Sequence, residues 1–339
     1  MGKVSMNDIA LALGVSKTLV SMVLNGKGDA HGISKETQKK VKEKVKELNY
    51  IPNPVARGLR TGKSNLIGLI VPDISNYFFS RLAWQIERMV AEQGYNLMIA
   101  SSDEDFEKEK TLINVYKGQM VDALIIAPCG SSKKDYQILE DVNLPFVFLD
   151  RKISRYKTDY VGLDNVNGAY SAVKRLINSK KESIQMLSIT PAHLSNIKER
   201  IKGFSDALKD HNQNKANGNN VIEISYQNIE KEVNDYVKNV VSKSKVDAVL
   251  TANNTLAKCF LDACKNQGVS IPDQVALISF DDVDLFKYSN PAISCVSQPI
   301  EEMGQKTVEI IFDILNNKDS KRKSRQYKLD SELTLRNSI

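Results

Sequence analysis

Apolar residues in the first fifty positions recur at helical intervals, whereas from residue 65 onward short apolar runs alternate with amphipathic stretches. Met6, Ile9, Ala10 and Leu13 predict a helix over 6–13, ended by Gly14. Val15 fills the turn, and Ser16 caps a second helix that runs through Val20 and Val23 until Asn25-Gly26 stops it. A third helix, capped by Ser34, buries Val41, Val45 and Leu48. Pro52 and Pro54 interrupt the chain, yet 55–60 holds helix formers with an Ala56/Leu59 face, too short to be helical unless something docks it. In the body, runs at 66–71, 97–100, 123–127, 146–149, 186–189, 248–251 and 275–280 predict buried parallel strands. Faces such as Leu82/Ile86/Met89/Val90 and Ala172/Val173/Leu176/Ile177 predict covering helices. The fold class is therefore α/β, with doubly wound parallel sheets in two similar halves meeting near 162–164.

Two short helices joined by a glycine turn form a helix-turn-helix, whose second helix enters the major groove with its N-terminal residues leading. Lys17 and Thr18 occupy that edge, with Ser21 and Met22 one turn on. Charge changes the picture from shape to partner. Residues 1–63 hold 12 Lys and Arg against 5 Asp and Glu, a balance of +7, which leaves −1 for the rest of a chain of net +6. A basic module on a near-neutral body is the footprint of phosphate-backbone binding, because such contacts release condensed counterions. The lysines of the third helix read as a solvated face that adds long-range attraction. After a helix-turn-helix, Leu59 beside Arg57 and Arg60 suits a minor-groove wedge rather than a plain linker.

These residues resemble the lactose-repressor-type (LacI/GalR) family of bacterial transcription regulators. The matching strings are Asp8-Ile9-Ala10, Gly14-Val15-Ser16, Leu19-Val20-Ser21, Val23-Leu24-Asn25-Gly26, Leu48-Asn49-Tyr50-Ile51-Pro52-Asn53 and Ala56-Arg57-Gly58-Leu59. The resemblance implies that Lys17, Thr18 and Met22 read bases, that Ser16, Ser21 and Asn25 touch phosphates, and that Leu59 wedges into the operator centre. Tyr50, Asn53, Ala56, Arg57 and Arg60 complete the implied DNA-binding set. Met22 stands where the family commonly has Arg, which removes a bidentate guanine reader, and the stretch 26–33 is longer than usual.

In doubly wound folds ligands bind beyond the C-terminal ends of strands, so residues just after each apolar run merit inspection. Asp73, Asn76, Phe78 and Phe79 follow the first; Asp150 and Arg151 follow the fourth; Asp164, Arg200, Asn253, Asn254, Asp281 and Gln298 stand beyond later ones. Singly, each is an ordinary loop former or cap. Together they make a hydrogen-bonding cleft with an aromatic platform, which suits a polyol. The resemblance extends through this body to about Leu335 and implies a periplasmic-binding-protein-like effector domain. Asn76-x-Phe78-Phe79, Asp150-Arg151, Arg200, Asn253, Asp281 and Gln298 match the set shown by ribose-binding relatives, so a pentose or similar small sugar is the implied effector. Asn254 departs from the common Asp, and purine-responsive members leave a nucleobase or nucleoside open.

The expected organisation is a DNA-binding domain over 1–50, a hinge over 51–63 and an effector and dimerisation domain over 64–339. Within the last, 64–162 with 292–320 and 163–291 with 321–339 are the expected subdomains. The whole is expected to be a cytoplasmic homodimer on pseudo-palindromic double-stranded DNA, since the start carries no secretory leader. The helix face over 79–90 is a candidate dimer contact. The longest apolar run, at 66–71, is far short of the roughly 20 residues a bilayer needs. Cys129, Cys259, Cys264 and Cys295 form no metal or redox motif, and His31, His193 and His211 form no cluster with them. No cofactor, metal or catalytic group is expected; Asp281-Asp282 are adjacent residues that point apart. A sugar-uptake binding module and a sugar-processing enzyme fused to a DNA-binding domain are the alternatives, the first opposed by the basic segment and the second by the lack of a nucleophile or base.

Overall fold

The computed structural model describes residues 4–50, 62–212, 220–243, 245–317 and 322–339, divided between two compact units, 1–64 and 65–339. The first unit is three helices: α1 (Met6–Leu13), α2 (Lys17–Leu24) and α3 (Lys35–Glu47). Local chemistry sets their ends. The Ser5 N–H and hydroxyl both donate to the Asp8 carboxylate at 2.8 Å, and Gly14 closes α1 at φ 64°, a conformation that costs glycine little. The Ser16 Oγ accepts the Leu19 N–H at 3.1 Å and the Ser34 Oγ accepts that of Thr37 at 3.1 Å. Ile9, Ala10, Val20, Val23 and Val41 form the buried centre. The long stretch after Gly26 is ordered: its 3₁₀ turn, Asp29–His31, is tied back by Lys35 and Gln38, which donate to the Asp29 carboxylate at 2.7 and 2.8 Å.

The second unit holds two six-stranded sheets. Strands β1 (Leu66–Val71), β2 (Asn96–Ser101), β3 (Ala123–Ile126), β4 (Phe146–Leu149), β5 (Tyr160–Leu163) and β11 (Gln326–Leu329) pair in the order β11-β5-β4-β3-β1-β2. Strands β6 (Ile184–Ile189), β7 (Val221–Ile224), β8 (Ala248–Thr251), β9 (Ala276–Phe280), β10 (Ser294–Ser297) and β12 (Glu332–Thr334) pair as β12-β10-β9-β8-β6-β7. Every pairing is parallel except β10 with β12. The first sheet is covered by α4 (Tyr77–Glu92) and α12 (Ile300–Asn316) on one face and α5 (Phe106–Gly118) and α6 (Gln137–Asp141) on the other. The second is covered by α7 (Asn165–Asn178), α8 (Ser195–Asp210), α9 (Ile229–Tyr236) and α10 (Asn254–Gln267), with the short α11 (Asp284–Tyr288) after β9. Because both faces are covered, Ile67, Leu69 and Val71 enter one core and Ile70 the other, so β1 is apolar without alternation. Edge strand β2 is only half-buried.

Three expectations change. Strands β5, β7, β10, β11 and β12 lie outside the seven runs that predicted strands: β7, β11 and β12 are edge strands, and Gly162 in β5 and the serines of β10 interrupt their apolar runs. The division of the body also differs: within 292–320, α12 covers the first sheet, but β10 pairs with β9 in the second, while β11 from 321–339 joins β5 in the first. The chain thus passes between the halves after β5, after β10 and after β11. Finally, Phe79, Leu82, Ile86 and Val90 are core residues, so the apolar face of α4 is consumed internally and offers no subunit contact. Its exposed flank carries Trp84, 46% accessible, between the Arg81 and Arg88 guanidiniums, each 4.8 Å from the ring centre. Among the described residues no single helix is long and apolar enough to cross a membrane.

Candidate DNA-contacting surface and effector cleft

On the first unit, Ser16, Lys17, Thr18 and Asn25 are exposed and Ser21 and Met22 half-buried, so the leading edge and outer face of α2 are presented together. Two of these side chains also hold the helix. Ser16 caps its start, and the Asn25 amide donates to the Ser21 carbonyl at 2.6 Å at its end. Lys17 and Thr18 carry no such duty among the bonds described. Tyr50 packs against the three-helix core. Asn53, Ala56, Arg57, Leu59 and Arg60 lie outside the described residues.

On the second unit, the C-terminal ends of the two sheets line one cavity of about 270 Å³. Asp73, Asn76, Phe78, Phe79, Asp150, Arg151, Arg200, Asn253, Asp281 and Gln298 all line it. Each is placed by an element end. Asn76 caps α4 by accepting the Phe78 N–H at 3.0 Å, which sets the two rings edge-to-face with centroids 5.0 Å apart. Asn253 caps α10 through the Leu256 N–H at 2.9 Å. Asp150 and Asp281 follow β4 and β9, which hold equivalent places in the two sheet orders, and both are left-handed, at φ 63° and 71°. Aspartate tolerates that region better than most side chains. Arg200 is on the first turns of α8 rather than in a strand-end loop. Its Nε donates to the Asn165 Oδ1 at 2.9 Å and its Nη1 to the Ala252 carbonyl at 2.6 Å, with the guanidinium 3.7 Å from the Phe280 ring centre.

Two expected residues are elsewhere. The Asp164 carboxylate caps α7 through the Asn167 N–H at 3.0 Å and pairs with Lys328 at 2.9 Å. Asn254 does not line the cavity; its Oδ1 accepts from Asn76 Nδ2 at 3.0 Å, a bond from one half to the other. Asp282 turns away from Asp281 and takes both terminal nitrogens of Arg336, at 2.9 and 2.6 Å.

Sequence reading missed four polar lining residues: Glu104, Asn196, Tyr226 and Thr255. Glu104 follows β2 and was open to the strand-end argument; Tyr226 follows β7, a strand not recognised. Glu104 matters most, because it takes both terminal nitrogens of Arg151 at 2.7 Å. Asn196, from the other half, donates to the Asp150 Oδ2 at 2.8 Å.

Burial pushes the Asp150 carboxyl up to about 6, against the pull of Arg151 and Arg200 and with help from Asp281. Burial alone would lower Arg151, but Glu104 and Asp150 outweigh it and hold the guanidinium above its usual range. Arg200 is lowered by burial. Asp150 Oδ1, Arg151 Nε and Gln298 Oε1 are buried without a hydrogen-bond partner, three such atoms on one cavity.

Residues 5–53 match the model of the bacterial regulatory proteins of the lacI family, and 173–339 that of a periplasmic binding protein-like domain. The chain is 31% identical over 318 residues to the ribose operon repressor of Bacillus subtilis (strain 168), covering 92% of this chain and 91% of the relative. Among solved structures, a periplasmic binding protein/LacI transcriptional regulator from Alkaliphilus metalliredigens QYMF complexed with D-xylulofuranose aligns with a TM-score of 0.69 at 26% identity, covering 81% of this chain and 98% of the other. The lac repressor dimer bound to operator and the anti-inducer ONPF shares the fold over 99% of each chain, with a TM-score of 0.82 at 22% identity. With a helix-turn-helix at its start, a two-sheet body behind it and this relative matched along nearly its whole length, the chain belongs to the lacI family of bacterial regulatory proteins, DNA-binding transcription regulators that are not enzymes.

Proposed function

We propose that this regulator represses an operon of carbohydrate metabolism as a homodimer on a pseudo-palindromic operator, and that a pentose or similarly small sugar in the body's cleft controls it. The cavity carries the reading. Buried, unpartnered Asp150 Oδ1, Arg151 Nε and Gln298 Oε1 sit with the Phe78/Phe79 pair in a space of about 270 Å³. Sugar hydroxyls would satisfy the first group, and an apolar ring face would lie on the second. The ribose operon repressor relative and the D-xylulofuranose complex support the size class.

Control requires differential affinity, since a ligand shifts a two-state equilibrium only by what it gains in one state over the other. Asn196 to Asp150 and Asn76 to Asn254 already join the halves, so a sugar held by both would bias their closure. In this proposal Ser16, Lys17, Thr18, Ser21, Met22 and Asn25 face operator DNA, with 51–63 as the coupling hinge, and the Trp84 flank of α4 is the surface available to a second copy.

The test is a thermal-shift screen of the full chain against D-ribose, D-xylulose, hexoses and purine bases, followed by operator binding with each hit. A pentose should raise the melting temperature, because binding to the native state alone stabilises it, and should change operator affinity. Stabilisation by a purine base and by no sugar would refute the sugar reading.

A further inference from the structure

We infer that the cleft selects an uncharged effector and that Glu104 enforces the choice by neutralising Arg151. The inference rests on reading the cleft as the effector site. Its ionisable lining is Asp73, Glu104, Asp150 and Asp281 against Arg151 and Arg200, a formal charge of −2 when all are ionised. An anionic group is normally recognised by a free guanidinium fork or by open N–H groups at a helix start. Neither is on offer. The terminal nitrogens of Arg151 face the Glu104 oxygens at 2.7 Å in a buried pair, and Arg200 donates through Nε to Asn165 and through Nη1 to the Ala252 carbonyl with its face on the Phe280 ring, so it presents at most Nη2 and not a two-nitrogen fork. Two of the helix starts at the cavity are capped by side chains, Asn76 holding the Phe78 N–H and Asn253 the Leu256 N–H, and inside the first turn of α8 Asn196 holds the Ile197 N–H.

A sugar phosphate would therefore enter a negative pocket in which Arg151 is already ion-paired and Arg200 is committed through two of its three nitrogens, whereas a neutral sugar needs only the donors and acceptors present. Glu104 is the sensitive position because one substitution removes a carboxylate and frees the Arg151 fork together.

Isothermal titration of the full chain with matched pairs tests this: D-ribose against D-ribose 5-phosphate, and inosine against inosine 5′-monophosphate. The neutral member of the binding pair should bind about a hundredfold or more tighter, the scale of a buried like-charge contact. In Glu104→Gln that gap should narrow at least about tenfold, while Glu104→Asp, which keeps the charge, should preserve it. Equal or tighter binding of the phosphorylated member by the unmodified protein overturns the inference. If the purine pair binds and the pentose pair does not, the sugar proposal falls, and the preference within the purine pair still decides the present one.

Discussion

Asp150 offers a perturbation whose sign follows from the structure. Its carboxyl is fully enclosed and pushed up from an ordinary 3.8 to about 6, chiefly by burial. An acid with a raised folded value favours the native state most when protonated, so its contribution is fully present below about pH 4 and is lost as pH rises through about 6. Two units at 1.36 kcal/mol each give a neutral-pH cost of about 3 kcal/mol. Asp150→Asn removes that charge while keeping the shape. Its amide oxygen can still accept from Asn196, now at 2.8 Å from Oδ2, and Asn tolerates φ 63°. Urea unfolding followed by Trp84 fluorescence isolates the body, since the chain has one tryptophan and it lies there. At pH 8 the variant should be more stable by about 1–3 kcal/mol, with the gap closing as pH falls from 6 to 4. Glu109, a buried carboxyl also raised to about 6, acts on both proteins and cancels. Effector binding should be lost, because a group that costs stability is retained for its site. A variant less stable at pH 8, by a margin that grows with pH, would show that the two guanidiniums outweigh burial and would sink the reasoning.

Two further substitutions separate the units. A Cβ on Gly203 would stand 2.1 Å from the Val166 carbonyl oxygen where α7 and α8 pack, so Gly203→Ala should cost about 3 kcal/mol of body stability; an unchanged melting temperature would contradict that packing. Ile9 is fully buried in a core of few residues, so Ile9→Ala should cost the headpiece about 2–5 kcal/mol. A gel shift should then show operator binding lost while the Trp84 unfolding transition stays in place, and a moved transition would contradict the independence of the two units.

What the sequence determined by itself is the local part. Gly14, Ser16 and Asn25 punctuate helices through bonds to residues at most four positions away, so the turn and the second helix were legible in the sequence, whereas the Ser5 cap of α1 emerged only in the structure. Strands enclosed on both faces were legible as unbroken apolar runs, and ten of twelve expected cleft residues line the cavity because strand ends in such folds converge. Tertiary structure alone decided what depends on distant partners. The sheet that β10 and β11 join turns on pairing with β9 and β5 rather than on their own composition. Asp164 and Arg151 show the same at the level of side chains. Each stands at a strand end with the same sequence credentials, yet Lys328 draws the first out of the cavity while Glu104, 47 residues away, meets the second inside it. A carboxylate's partner is set by where folding leaves the nearest cation, and no local pattern encodes that distance.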